Sequence, residues 1–270
     1  MAKFLIGILI AYFGMVAMAF LLQNRMLFPA QFATNSVPFN PESGDLLELD
    51  VSDKVQLKGI HLKPVDGQTK DKPVILGFGG NAWNAQVAAT YLHSLFPAND
   101  VVVFHYRGYR PSTGSPTAAH LLSDSLLIFD HLQEQFGTRP IVAIGFSIGS
   151  GVAAHLAGNR KLAGLILVTP FDSLRKLAIG QFPWLPVRWL FRHDMEPVDD
   201  LRDNSTPTAI IAAENDNVVF PDRTEALRPN VPNLVLDRVI TGADHNNIYD
   251  RAEFRAAMKE AMALIQAGND

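Results

Sequence analysis

Residues 141–154, Ile-Val-Ala-Ile-Gly-Phe-Ser-Ile-Gly-Ser-Gly-Val-Ala-Ala, constrain the fold more than any other stretch of the chain. A short β-branched apolar run reads as a buried strand, the small residues after Ser147 read as a helix, and Gly145 and Gly149 flank the serine between them. A residue on so tight a strand-to-helix turn is backbone-strained, and neighbours bearing a Cβ would collide with it. The turn lifts the Ser147 hydroxyl off the sheet, and the helix behind it aims N–H groups at whatever that hydroxyl attacks, with the N–H of Ile148 as the natural oxyanion donor. A serine after a strand also serves as a plain turn former, so the pattern counts only with its context.

The context is α/β. Val74–Phe78, Val101–Phe104, Gly164–Val168, Thr208–Ala213 and Leu234–Ile240 are short apolar runs; helical spacing separates several of them, at residues 85–96 and between Thr117 and Gly137, and follows the last at residues 248–266. Strands without a polar face, alternating with helices, predict a mostly parallel, doubly wound sheet covered on both sides. Residues 46–51 and 55–62 alternate around Ser52-Asp53-Lys54, which predicts an antiparallel hairpin, with an irregular connector at 26–44 before it and a polar loop at 64–72 after it. Residues 170–200 hold four prolines among Phe182, Trp184, Trp189 and Phe191, too apolar for a solvated loop and too broken for one helix, and are expected to form a short lid over the site, with ordinary core as the alternative reading of the aromatic residues.

A chain of 270 residues suits one such domain, and its net charge of −4 with no run of like charge offers no field for nucleic acid. The absence of cysteine excludes disulfides, a thiolate nucleophile and a cysteine-based metal site. Residues 4–24 carry no charge, close to the roughly 20 residues that span a bilayer, so the chain divides into an N-terminal anchor or signal segment at 1–25 and a catalytic domain at 26–270. Lys3 precedes the apolar run and Arg25 follows it, a balance that leans towards a cytoplasmic N-terminus and an external domain. The competing reading is a signal peptide cleaved after Ala17-Met18-Ala19, which would leave a secreted or periplasmic protein.

A serine hydroxyl is a poor nucleophile until a base takes its proton, and that base needs a carboxylate to fix its tautomer. Asp216 follows the penultimate strand and His245 follows the last, and carboxyl ends of strands converge on one crevice in such sheets. Ser147, Asp216 and His245 are therefore the expected catalytic set, with Glu214 the main rival for the acid. Two glycines follow Val74–Phe78 directly, and the N–H of Asn81 after them is the second expected oxyanion donor, unless Gly79 to Asn84 is simply a turn and helix cap. His61, His93, His120, His131, His155 and His193 read as surface or core histidines, while His105 ends a central strand and can line the pocket. No His/Asp cluster has metal-ligand spacing and no phosphate-binding glycine loop is present, so neither metal nor cofactor is expected.

Together the anchor, Arg25-Met-Leu-Phe-Pro29, Phe78-Gly-Gly-Asn-Ala82, Tyr106-Arg-Gly-Tyr109, Gly145-Phe-Ser-Ile-Gly-Ser150, Pro170-Phe171 and Asp244-His245-Asn246 resemble the membrane-anchored α/β-hydrolase family of bud-emergence type. The resemblance implies the α/β-hydrolase fold, a Ser147–His245–Asp216 triad and an oxyanion hole at Asn81 and Ile148. It also implies hydrolysis of esters or, as in some animal members, thioesters of acyl or lipid-like substrates. The chain departs from the family where Gly79 replaces a usual His, His105 a usual Asp, and Arg110 and Ala213 usual glycines. A peptidase of the same fold and a non-catalytic hydrolase-fold binding protein are the alternative readings.

Overall fold

The computed structural model describes residues 1–33, 44–52, 54–65, 67 and 72–268. Most of the expected connector, the turn residue Asp53 and most of the polar loop lie outside the described residues. The strands are β1 (Gly44–Ser52), β2 (Val55–Leu62), β3 (Val74–Phe78), β4 (Val101–Phe104), β5 (Ile141–Phe146), β6 (Gly164–Val168), β7 (Thr208–Ala213) and β8 (Leu234–Ile240). They form one sheet in the order β1-β2-β4-β3-β5-β6-β7-β8. β1 and β2 pair antiparallel, as the alternation around Ser52 predicts, and β2 joins β4 antiparallel. From β4 to β8 every pairing is parallel.

The helices are α1 (Ala2–Leu27), α2 (Ala85–Leu95), α3 (Ala118–Phe136), α4 (Ile148–Asn159), α5 (Leu174–Gln181), α6 (Val187–Leu190), α7 (Pro197–Leu201), α8 (Pro221–Leu227) and α9 (Ala252–Ala267). Side chains of α3 and α4, such as Leu132, Val152 and Leu156, pack on one face of the sheet. Those of α2 and α9, such as Leu92, Phe254 and Met258, cover the other. Every residue of β3 to β7 is buried as a result, which is why these runs carry no polar alternation. The helix starts follow local chemistry: Asn84 and Thr117 accept from the N–H groups of Gln86 and His120, and α3 stops at Gly137, whose φ of 63° suits glycine.

The last helix begins later than its spacing predicts. Residues 248–250 form a separate 3₁₀ turn and Arg251 is extended, so α9 starts at Ala252. Residues 170–200 are helical in three pieces. Their ends belong to the core, with Phe171, Leu174 and Met195 buried, while Trp184 and Trp189 stand exposed between them. α1 is long and apolar enough to cross a membrane, and none of its most apolar stretch is buried in the protein.

Candidate active site

Ser147 joins β5 to α4 with φ 51° and ψ −118°. The strain is held by close backbone packing: a Cβ on Gly145 would lie 2.3 Å from the carbonyl oxygen of Gly149, and one on Gly149 would lie 2.2 Å from that of Phe78. Neither backbone can retreat, so the two glycines are what the turn requires. The Ser147 N–H donates to the Val168 carbonyl of β6 at 2.9 Å, and its own carbonyl accepts the Ser150 hydroxyl at 2.6 Å. These bonds fix the elbow against the neighbouring strand and the first helical turn.

The β7 and β8 loops deliver the other two residues. Asn215 N–H donates to the Ala243 carbonyl at 2.8 Å and ties one loop to the other. His245 Nδ1 lies 2.8 and 3.0 Å from the two Asp216 carboxylate oxygens, and His245 Nε2 lies 3.0 Å from Ser147 Oγ. Asp216 Oδ1 also accepts the N–H groups of Val218 and Val219 at 2.9 and 2.7 Å. A carboxylate so engaged can only accept, so the Nδ1 proton faces Asp216 and Nε2 presents its lone pair to the serine hydroxyl. All three side chains are buried, which strengthens each bond and keeps bulk water from the chain of proton acceptors.

The rivals are engaged elsewhere. Glu214 is exposed and accepts the Gly242 N–H at 2.8 Å, bridging the two loops from outside. Asp244 accepts the N–H groups of Asn247 and Asn246, and these bonds hold its carboxyl below the usual carboxylate range. His105 is buried at the end of β4, its Nδ1 has no partner, and burial pushes its pKa down to about 4. Its ring bonds to none of Ser147, Asp216 or His245. His61 belongs to a separate network, 2.7 Å from Asp100, whose other oxygen takes Arg139 Nη1 at 2.7 Å. Burial opposes the Asp100 charge, but these two partners outweigh it and hold its pKa below the ordinary value. No group of three or more His, Asp or Glu among the described residues is arranged to hold a metal ion.

The loop after β3 comes close to the serine, since a Cβ on Gly80 would lie 3.8 Å from Ser147 Cβ. Asn81 follows directly, and Ile148 opens α4 on the other side of the serine in sequence. Two residues whose role the sequence left unread hold this loop. Tyr106 donates its hydroxyl to the Gly79 carbonyl at 2.7 Å, and Tyr109 donates to the Asn81 carbonyl at 2.6 Å. Tyr109 is buried and Tyr106 half-buried, and burial raises both phenol pKa values, so they remain donors. The sequence signal was a pair of tyrosines in a Gly/Pro-rich loop at a strand end, which marks a site loop without naming the partner. At Gly79 a Cβ would stand 3.2 Å from Trp83 Cβ, and the Trp83 ring packs on Phe146 with 5.0 Å between centroids. Trp83 thus occupies the space beside the loop.

A strained serine turn after a central parallel strand, hydrogen-bonded to a histidine and an aspartate on the loops after the last two strands, is the arrangement of the α/β-hydrolase fold. The comparisons agree. A family model described as the alpha/beta hydrolase fold matches residues 74–194. An uncharacterized protein of Mycobacterium tuberculosis is 28% identical over 240 residues, which are 87% of this chain and 84% of that protein. Protein bem46 of Schizosaccharomyces pombe is 29% identical over 77% of this chain and 75% of its own. Lysophosphatidylserine lipase ABHD12 of Danio rerio is 32% identical over 139 residues, 44% of this chain and 36% of its own. Among solved structures, the Pyrococcus furiosus esterase Pf2001 shares the fold, with a TM-score of 0.67 at 16% identity over 85% of this chain and 94% of its own.

Proposed function

We propose that this protein is a serine hydrolase that cleaves ester or thioester bonds of acyl, lipid-like substrates through a Ser147–His245–Asp216 triad. One observation carries the reading: the buried relay from Asp216 through His245 to Ser147 Oγ, with steps of 2.8 and 3.0 Å, on a strained elbow. In the mechanism Ser147 Oγ attacks the acyl carbonyl carbon as its proton passes to His245 Nε2, and Asp216 stabilises the imidazolium that forms. The N–H groups of Asn81 and Ile148 receive the oxyanion, and the Tyr106 and Tyr109 hydroxyls hold the loop that positions the first of them. His245 then protonates the leaving alcohol or thiol, and water, deprotonated by the same ring, releases the acid.

A lipid-like substrate is favoured by α1, which brings the site to a membrane surface when it acts as an anchor, and by the resemblance to a lysophosphatidylserine lipase. The test is turnover of p-nitrophenyl esters and acyl thioesters of increasing chain length, beside a lysophospholipid, by the full chain in detergent micelles. A preference for long acyl chains is expected. Turnover confined to short, water-soluble esters would remove the lipid part of the reading, and cleavage of peptides alone would replace it with a peptidase.

A further inference from the structure

Residues 4–24 contain three polar side chains, Tyr12, Gln23 and Asn24, and each reaches a backbone carbonyl of the folded domain. The Tyr12 hydroxyl donates to Trp184 at 3.1 Å, Gln23 Nε2 to Leu190 at 3.4 Å and Asn24 Nδ2 to Pro116 at 3.3 Å. The domain answers through Arg192, whose N–H donates to Gln23 Oε1 at 2.9 Å. Its Nη2 donates to the Phe20 carbonyl at 3.2 Å, with the guanidinium 4.4 Å from the Phe20 ring centroid. α1 is therefore docked along the outward part of the segment between α5 and α7.

Between the two lies a cavity of about 170 Å³, walled by Val16, Ala19 and Phe20 on one side and Phe182, Leu185 and Val187 on the other. Gln23 is the one polar side chain in the wall, and its amide is engaged at both ends. The outer surface is apolar as well, with Trp184 52%, Trp189 78%, Met18 62% and Leu21 72% exposed. Residues 174–192 carry Arg175, Lys176, Arg188 and Arg192 and no acid, although the chain as a whole is at −4.

We propose that α1 and residues 182–191 form one membrane-inserted unit, and that the cavity between them holds an acyl chain of a bilayer lipid. The inference rests on α1 being a retained membrane helix and not on the hydrolytic chemistry. Irregular backbone survives in hydrocarbon only where its carbonyls are satisfied from within the protein, and Tyr12 and Gln23 do this for Trp184 and Leu190. Tyr12 and Gln23 are eleven residues apart, about 16 Å along a helix, comparable with one leaflet of a hydrocarbon core about 30 Å thick. The segment thus enters one leaflet beside α1, and the exposed Arg188 reaches back to headgroups, whereas Arg175 and Lys176 pair with Asp194 and Asp172.

The chain has no cysteine, so single cysteines placed by Trp184→Cys, Trp189→Cys and, on the opposite face of the sheet, Leu264→Cys report depth without background. The full chain carrying Ser147→Ala, spin-labelled in phosphatidylcholine–phosphatidylglycerol vesicles, separates the result from turnover. Labels at 184 and 189 are expected to be open to oxygen and shielded from a water-soluble nickel chelate, with the reverse at 264. Labels at 184 and 189 that match 264 would overturn the insertion. For the cavity, a phosphatidylcholine with a diazirine in its acyl chain should cross-link to residues 182–191 as well as to outward Leu21. Ala19→Phe, which fills the space, should abolish the first cross-link and keep the second. A cross-link to 182–191 that survives filling, or is never formed while Leu21 reacts, overturns the acyl site. Loss of both overturns the docked unit.

Discussion

A single methyl group on Gly145 would sit 2.3 Å from one carbonyl oxygen, and on Gly149 2.2 Å from another, so both positions tie the backbone of the elbow to its residue type. Gly145→Ala or Gly149→Ala is expected to destabilise the protein by roughly 3 kcal/mol or more, read as a lowered denaturant midpoint, because backbone rather than a flexible side chain must move. Tyr106 and Tyr109 act one step further from the chemistry. Phenylalanine at either removes one hydroxyl and leaves a loop carbonyl unbonded. We expect kcat to fall about tenfold with KM nearly unchanged, since a misplaced oxyanion donor is felt in the transition state. A parallel rise in KM at constant kcat would instead make these residues part of the substrate pocket. The positions of Ser147, Asp216 and His245 at strand ends, and the two glycines of the elbow, were legible from spacing because a strand–turn–helix leaves few residue types free. Tyr106 and Tyr109 were not, because a hydroxyl's partner 27 or 28 residues away is set by tertiary packing alone.

At the scale of elements, continuous apolar runs identified β3 to β7 because the sheet is covered on both faces. The hairpin of β1 and β2 was equally plain from its alternation. The start of the last helix was not, since apolar residues 248 and 249 extend the pattern through a 3₁₀ turn that the extended Arg251 then ends. Residues 170–200 show the limit of composition most clearly. Their aromatic content predicted a cover for the site, and what composition could not convey is which surface they meet: their outward part packs along α1 through Trp184 and Leu190. The same contacts bear on the signal-peptide reading, since three side chains of α1 bond to the folded domain.

Across the whole molecule, two buried histidines set an acid limit to stability. Burial pushes the pKa of both His105 and His193 down to about 4, with the charge of Arg192 adding to the effect at His193. In the unfolded chain each takes its proton near the ordinary value of about 6.5, so between those values the unfolded state binds more protons. Stability is therefore full above about pH 6.5 and is lost as pH falls towards 4, by a few kcal/mol in total. Guanidinium unfolding in detergent should show a lower midpoint at about pH 5 than at about pH 7.5. The difference should shrink in a His105→Gln, His193→Gln variant, and equal midpoints in the unsubstituted chain would show that these two histidines do not set the acid limit. If this fold holds Ser147 as an activated nucleophile, a fluorophosphonate probe added to the full chain in detergent should react with it. Rapid labelling of the native protein is expected, and none of the folded Ser147→Ala variant. Equal labelling of both, or no labelling of a native protein that is well folded, would contradict that activation.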